Sequence, residues 1–182
     1  MAMLLIVSPP KEKGESYLKI GNNIWNWQPV IERTVKIALA ATGTPWHGSD
    51  FTIDDMLKSS SFLYDCNHEL VGKEVIDGDL CYKLILTPHS ESTILWNKVV
   101  VWISDTSFVE RKIEYYDEDD ILIRTYTSDN IQMIQGHFVP LHFEVIPADK
   151  KGYKTVLSIS DCASDPSIKE SFFSLQNMKR LN

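Results

Sequence analysis

The chain has 182 residues, 43% of them hydrophobic and 24% charged, a balance that fits one folded domain rather than a disordered or membrane-spanning chain. Its 18 Lys and Arg stand against 25 Asp and Glu, giving a net charge of −7, and no run of Lys or Arg exceeds two residues, so nucleic acid would be repelled. Apolar runs such as Val99 to Ile103 and Ile121 to Ile123 are too short to cross a bilayer as a helix.

In chain order, strands are predicted near Met3 to Val7, Glu15 to Ile20, Asn23 to Trp27 and Arg33 to Ile37. Gly21-Asn22-Asn23 joins the second and third as a hairpin, because Gly and Asn tolerate positive φ. The start of the chain lacks the basic region and cleavage site of a signal peptide, so any export signal is expected upstream of Met1. Ala38 to Gly48 reads as loop with a short helix at its start. Ser49 or Asp50 then reads as a helix cap, with Asp54 and Asp55 in the first turn, where the helix dipole favours acids, and the helix ends by Ser59-Ser60-Ser61.

From Phe62 onward the pattern is a meander, with strands at Phe62 to Leu70, Lys73 to Ile76, Leu80 to Thr87, Lys98 to Ser104, Phe108 to Tyr116, Ile121 to Ser128, Asn130 to Gln135, Leu141 to Ile146 and Tyr153 to Ser160. Turn chemistry separates them, as at Asp77-Gly78-Asp79 and Asp117-Glu118-Asp119-Asp120. Asp165-Pro166-Ser167 should start a last helix, Ile168 to Leu175. So many consecutive strands imply a strongly curved antiparallel sheet that leaves a hollow. Val99, Val101 and Ile103 face one side of their strand and Val100 and Trp102 the other, so both faces of that strand need covering.

The segments Gly14 to Lys19, Trp25-Asn26-Trp27-Gln28-Pro29, Arg33 to Ile37 and Gly48-Ser49-Asp50-Phe51-Thr52 with Asp54-Asp55, and more loosely Lys112 to Asp117 and the last strand with Thr155, resemble the outer-membrane lipoprotein-sorting protein family, relatives of the periplasmic lipoprotein carrier. The resemblance spans nearly the whole chain. It implies a mainly β fold: a strongly curved antiparallel sheet forming an incomplete, unclosed β-barrel with short helices as a lid. It also implies one carrier domain over residues 1–182, lacking the helix and strands that precede the matching segment in the family. Implied partners are lipoprotein acyl chains or lipids and a membrane transporter or outer-membrane acceptor, in the periplasm, with no cofactor and no chemistry to perform. If the N-terminal part is absent, Met3 to Val7 becomes an exposed edge strand, and a homodimer is expected through it.

The large aromatics on strands are the candidate lipid-binding residues: Tyr17, Trp25, Trp27, Tyr82, Trp96, Trp102, Tyr115 and Phe143. Trp25 and Trp27 share a strand face and read either as core or as the wall of the hollow, where an amphipathic ring suits an oil–water boundary. Phe143 points inward with Leu141 and Val145, against outward His142 and Glu144. Arg33 reads either as a solvated surface residue or as a contact to a lid or lipid headgroup.

No metal site is expected. The acidic turn Asp117 to Asp120 lacks the glycine and glutamate of a calcium loop, and Cys66 with His68 lacks the two further ligands of a structural zinc site. Cys66, Cys81 and Cys162 have no C-x-x-C spacing and allow at most one internal disulfide. No serine-elbow, zinc-helix or phosphate-loop motif is present, so an enzyme is not expected. The rival reading is a non-enzymatic periplasmic interaction module associated with a membrane transporter.

Overall fold

A computed structural model describes residues 1–57, 61–90, 92, 94, 96–163 and 167–181. The described chain is mainly β, with two antiparallel sheets, neither closed into a barrel, and a few short helices, as expected from the sequence. It clusters into two compact units. The first holds Met1–Thr44, Thr52–Lys58 and Asp165–Asn182, and the second Pro45–Phe51 and Ser59–Ser164.

The first unit carries the four-stranded sheet β1 (Ala2–Leu5), β2 (Ser16–Ile20), β3 (Asn23–Gln28) and β4 (Arg33–Ile37), in that spatial order. The predicted hairpin is present: Ile20 pairs with Asn23 across a two-residue turn with Gly21 at φ 56°. Leu18 pairs with Trp25 and Ser16 with Trp27, so these four share one face. On this face the Ser16 hydroxyl donates to the Met178 carbonyl at 2.8 Å, which fixes the one-turn helix α3 (Leu175–Met178) against β2, with Leu18 and Met178 fully buried.

Two helix predictions are corrected. Helix α1 (Ile53–Leu57) starts later than expected, because Thr52 rather than Ser49 or Asp50 is its cap. The Thr52 hydroxyl accepts from the Asp55 amide at 3.1 Å, and the Asp55 carboxylate accepts from the Thr52 amide at 2.7 Å, a reciprocal capping box. The predicted last helix divides into a 3-10 turn at Glu170–Phe172 and α3, whose cap Ser174 accepts from Asn177. Ser59, Ser60, Asp165 and Pro166, used above as helix boundaries, lie outside the described residues.

The second unit begins its sheet region with a one-turn helix, α2 (Ser61–Tyr64), where a strand was expected. A short apolar run such as Phe62-Leu63-Tyr64 suits either element, and periodicity does not separate them. Seven strands follow: β5 (Cys66–Ile76), β6 (Asp79–Pro88), β7 (Lys98–Ser104), β8 (Glu110–Tyr116), β9 (Leu122–Ile134), β10 (His137–Pro147) and β11 (Thr155–Ser158), each paired with its sequence neighbour. Two pairs of predicted strands are single long strands. β5 runs on through a bulge between Leu70 and Gly72, and the φ of Gly72, 151°, is one that side-chain-bearing residues rarely adopt. β9 runs on through Asn130, at φ 50°, to a tight turn at Gln135–Gly136.

Candidate functional site

The pairing register of the seven-stranded sheet decides which aromatic side chains meet. Val99 lies opposite Leu86 and Tyr115, Val101 opposite Leu84 and Ile113, Tyr126 opposite Ile113 and Val145, and Phe143 opposite Ser128. Directly opposed residues share a face, so these form one apolar surface. Cys66, Leu86, Val99, Val101, Ile113 and Tyr115 are its buried floor, and Phe62, Leu84, Ile94, Trp96, Ile103 and Tyr126 pack on them half-buried. The rings form two groups: Phe62 and Trp96 on Tyr115 at 6.3 and 5.1 Å, and Tyr126 on Phe143 at 5.7 Å. Offset and tilted pairs at these separations are favourable beyond their burial.

A buried cation, Arg124, sits in this surface. Arg124 pairs with Tyr115 across β8 and β9 and is buried, its guanidinium 4.4 Å from the Tyr115 ring centre and 5.1 Å from that of Trp96. Its Nη1 donates to the backbone carbonyl of Asp50 at 3.3 Å. That carbonyl belongs to a compact strap, Trp46 to Phe51. Left-handed φ at His47 and Gly48 turns the strap, and the amide of Trp46 donating to the Phe51 carbonyl at 2.7 Å closes it. The Ser49 hydroxyl bonds inside the strap to the Trp46 carbonyl.

The strap is held at both of its last two residues. Phe51 is buried with its ring edge-on to Tyr126 at 6.2 Å. The Asp50 carboxylate accepts from Lys150 Nζ and from the Thr155 hydroxyl, each at 2.7 Å, while the Asp50 amide donates to the same hydroxyl at 3.0 Å. These two hydrogen bonds hold the Asp50 carboxyl below the usual carboxylate range against an opposing push from burial, and Asp50 raises the pKa of Lys150 in return.

The opposite face of the same strands is covered differently. Cys81, Val100 and Trp102 are buried there, with Ile76, Ile85 and Tyr116 packed beside them. Lys83 and Lys112 lie over the Trp102 ring at 4.9 and 4.6 Å, and its indole N–H donates to Glu74 at 2.9 Å. Glu74 also accepts from Lys83 at 3.0 Å, and Glu114 accepts from Tyr116 at 2.6 Å. Burial, then the bond to Glu114, pushes the Tyr116 phenol up to about 12. The long lysine stems therefore roof this face while their charges reach water.

The eight candidate lipid-binding residues are thus distributed over several surfaces. Trp96, Tyr115 and Phe143 come together on the aromatic face, and Tyr82 lies on the same face with Lys73 Nζ 4.3 Å from its ring centre. Trp102 does not join them, because the period of two along β7 turns it to the lysine-roofed side. Tyr17, Trp25 and Trp27 belong to the first unit. There Trp25 and Trp27 are half-buried on the α3 side of the sheet, Lys179 Nζ lies 5.0 Å from the Trp27 ring, and Tyr17 is buried on the other side, level with Asn26. Arg33 is exposed at the start of β4.

Sequence reasoning missed Arg124, Tyr126 and Phe51. The alternation Leu122-Ile123-Arg124-Thr125-Tyr126 does put Arg124 and Tyr126 on one side, but only the cross-strand register brings them to Tyr115. His68 Nε2 bonds the Phe62 carbonyl at 2.8 Å, and Asp117 accepts from the amides of Asp119 and Ile121, so both groups that were weighed as metal ligands and set aside have local structural uses. Among the described residues no group of three or more His, Cys, Asp or Glu is placed to hold a metal, and no helix is long and apolar enough to cross a membrane. All three cysteines are free, Cys66 and Cys81 buried and Cys162 exposed, and burial raises the thiol pKa of the first two.

No curated protein matches the sequence. Three solved structures share the fold. A domain named as an outer membrane lipoprotein-sorting protein, from Vibrio parahaemolyticus, aligns with TM-score 0.87 at 20% identity, covering 98% of this chain and 77% of its own. A DUF1329 family protein from Desulfovibrio piger aligns with TM-score 0.86 at 20% identity, over 97% of this chain and 75% of its own. A LolA superfamily protein from Nitrosomonas europaea aligns with TM-score 0.74 at 24% identity, over 96% and 76%. A family model described as "uncharacterized protein" matches residues 1–180. The chain therefore belongs to that family, and it is built on the fold of the outer membrane lipoprotein-sorting and LolA superfamily proteins.

Proposed function

We propose that this protein is a periplasmic, non-enzymatic carrier: one domain over residues 1–182 that shields lipoprotein acyl chains or lipids on their way toward the outer membrane. The observation that carries the reading is the aromatic face of the seven-stranded sheet. Its floor is buried, its upper layer of Leu84, Ile94, Trp96, Ile103 and Tyr126 is only half-buried, and the sheet is not closed. A hydrocarbon tail laid on such a surface gains about 0.8 kcal/mol for each CH₂ removed from water. The shared fold with lipoprotein-sorting proteins supports the same reading. Within it, Trp96, Tyr115, Phe143 and Tyr82 line the guest face, a membrane transporter or outer-membrane acceptor takes the cargo, and a homodimer forms through β1. The test is organic extraction of protein purified from its native envelope, followed by mass spectrometry. Stoichiometric acyl species are expected, and protein that is consistently free of them would count against the carrier.

A second reading, an interaction module working with a membrane transporter, is favoured by one feature. The outermost strand β5 exposes Leu70, Val71 and Val75, which gives a protein partner apolar side chains beside an unpaired strand edge. A stable complex with the transporter in fully delipidated protein would select it.

A further inference from the structure

The hairpin of β9 and β10 runs past both of its neighbours. On the β9 side, β8 makes its last contacts at Ser128, whose carbonyl accepts from Arg111 Nε at 3.1 Å and whose hydroxyl donates to the Glu110 carbonyl. On the β10 side, the chain following β11 makes its last contact where the Ile159 amide donates to the Leu141 carbonyl at 2.8 Å. Among the described residues the ribbon from Asn130 to Pro140 therefore has two strands and no third. Its β9 limb, Ile131 to Gln135, carries this arm about 16 Å outward. Met133 lies opposite Phe138 and Ile131 opposite Pro140, so the four share one face, with Met133 56% and Phe138 42% exposed. The arm is preformed: Gln135 and Gly136 turn it at left-handed φ, 48° and 86°, and His142 Nδ1 meets the Asp129 carboxylate at its base at 3.0 Å. We propose that this arm joins two copies of the chain, their β9 edges from Asn130 to Ile134 pairing antiparallel across a two-fold axis into one four-stranded sheet. The contact goes beyond the carrier reading and does not depend on it.

Backbone geometry and charge choose this occupant. A two-stranded ribbon is marginal alone in water, and an added strand supplies the hydrogen bonds that its edge lacks. A two-fold axis normal to the ribbon sets identical edges antiparallel and keeps both Ile131, Met133, Phe138 and Pro140 stripes on one side, where they merge. Pro140 has no N–H and interrupts the β10 edge, which leaves the β9 edge as the one to pair. The other turns of this sheet carry charge, at Asp77, at Asp105, at Asp117 to Asp120 and at Asp149 to Lys151, whereas Asn130 to Leu141 contains no Asp, Glu, Lys or Arg. Each copy bears a net charge of −7, so approach is least opposed through an uncharged arm held away from the body. The same segment has no Trp or Tyr either, and so lacks the groups that hold a chain at a lipid headgroup layer.

The test is sedimentation velocity of the full chain over a concentration series, with Met133→Lys and Met133→Glu prepared separately. Each substitution is expected to weaken self-association at least about fivefold, because like charges meet near the axis, and a one-to-one mixture of the two should recover to within about twofold of the parent. Hydrogen exchange of the amides from Asn130 to Ile134 reads the same contact without a substitution. It should slow with rising concentration in the parent and in Ala2→Glu, which alters the β1 edge, but not in Met133→Lys. Circular dichroism melts confirm that the variants fold. Self-association that ignores position 133, or that the mixture fails to recover, overturns the inference, and sensitivity to Ala2→Glu alone gives the dimer to β1. A chain that stays monomeric at millimolar concentration also overturns it. Arm amides then protected only by phosphatidylcholine vesicles assign the arm to a lipid surface, and protection only in native envelope extract assigns it to a different protein. None of these results bears on the carrier, which the extraction of acyl species decides.

Discussion

Trp96 and Trp102 are six residues apart and have opposite uses. Trp102 is buried beneath Lys83 and Lys112 and bonded to Glu74, so Trp102→Ala leaves a cavity beneath the two lysine stems, while Glu74 keeps its bond from Lys83. It should cost about 3–5 kcal/mol in urea denaturation and leave guest affinity unchanged. Trp96→Ala, at a half-buried ring beside Arg124, should cost less stability and more affinity. Asp50 makes a second residue-scale prediction. Its folded pKa is depressed, so its contribution is complete above its unfolded value, near pH 4, and is lost as pH falls through the lower folded value. Lys150 is the converse, its contribution fading only as pH rises past about 10.4. The difference in melting temperature between the parent and Asp50→Asn should therefore stay constant from about pH 5 to 9 and shrink below about pH 4. A difference that changes in the neutral range would break the assignment. Of the apolar surface, Tyr115 and Phe143 were legible because large aromatics on alternating strands belong in such a surface, whereas Trp96 lies just before β7, outside any strand. Arg124 was not, because an arginine in a strand reads as solvated until a partner strand places Tyr115 opposite it.

At the scale of elements, the strands were legible wherever turn chemistry and alternation agree. β4 and β7 match their predicted bounds, and β2 and β3 deviate by one residue at an end. The failures have one cause, that local signals do not report what a strand pairs with. The breaks predicted inside β5 and β9 are interruptions that a continuous partner strand carries across, at Gly72 by a bulge and at Asn130 by a left-handed residue. A Cβ on Gly72 would meet nothing within 4 Å, so its requirement is one of backbone alone. Gly72→Ala should cost about 1–3 kcal/mol by thermal melting. A neutral substitution would show that β5 reaches its full length without the bulge. The α1 boundary was misread because Ser49, Asp50 and Thr52 are all good caps, and the capping box with Asp55 decides for Thr52.

At the scale of the molecule, the mainly β, unclosed architecture was legible from the count of strands alone, whereas their division into sheets of four and seven was not, since it depends on which strands leave their edges unpaired. Among the described residues β1 is paired on one side only, by β2. Assembly through this edge predicts a concentration-dependent dimer in light scattering, and a mass that stays monomeric at millimolar concentration would remove it. The two sheets also differ in when they can be completed. Every strand of the seven-stranded sheet pairs with its neighbour in sequence, so that sheet closes its ladder as its own residues emerge. The four-stranded sheet forms first but waits for α3, which supplies Met178 to cover Leu18 and a carbonyl to satisfy Ser16, 162 positions later. During synthesis or threading from the N-terminus, its greasy side stays bare until Met178 arrives, and that interval is when a nascent chain of this kind most needs a holdase.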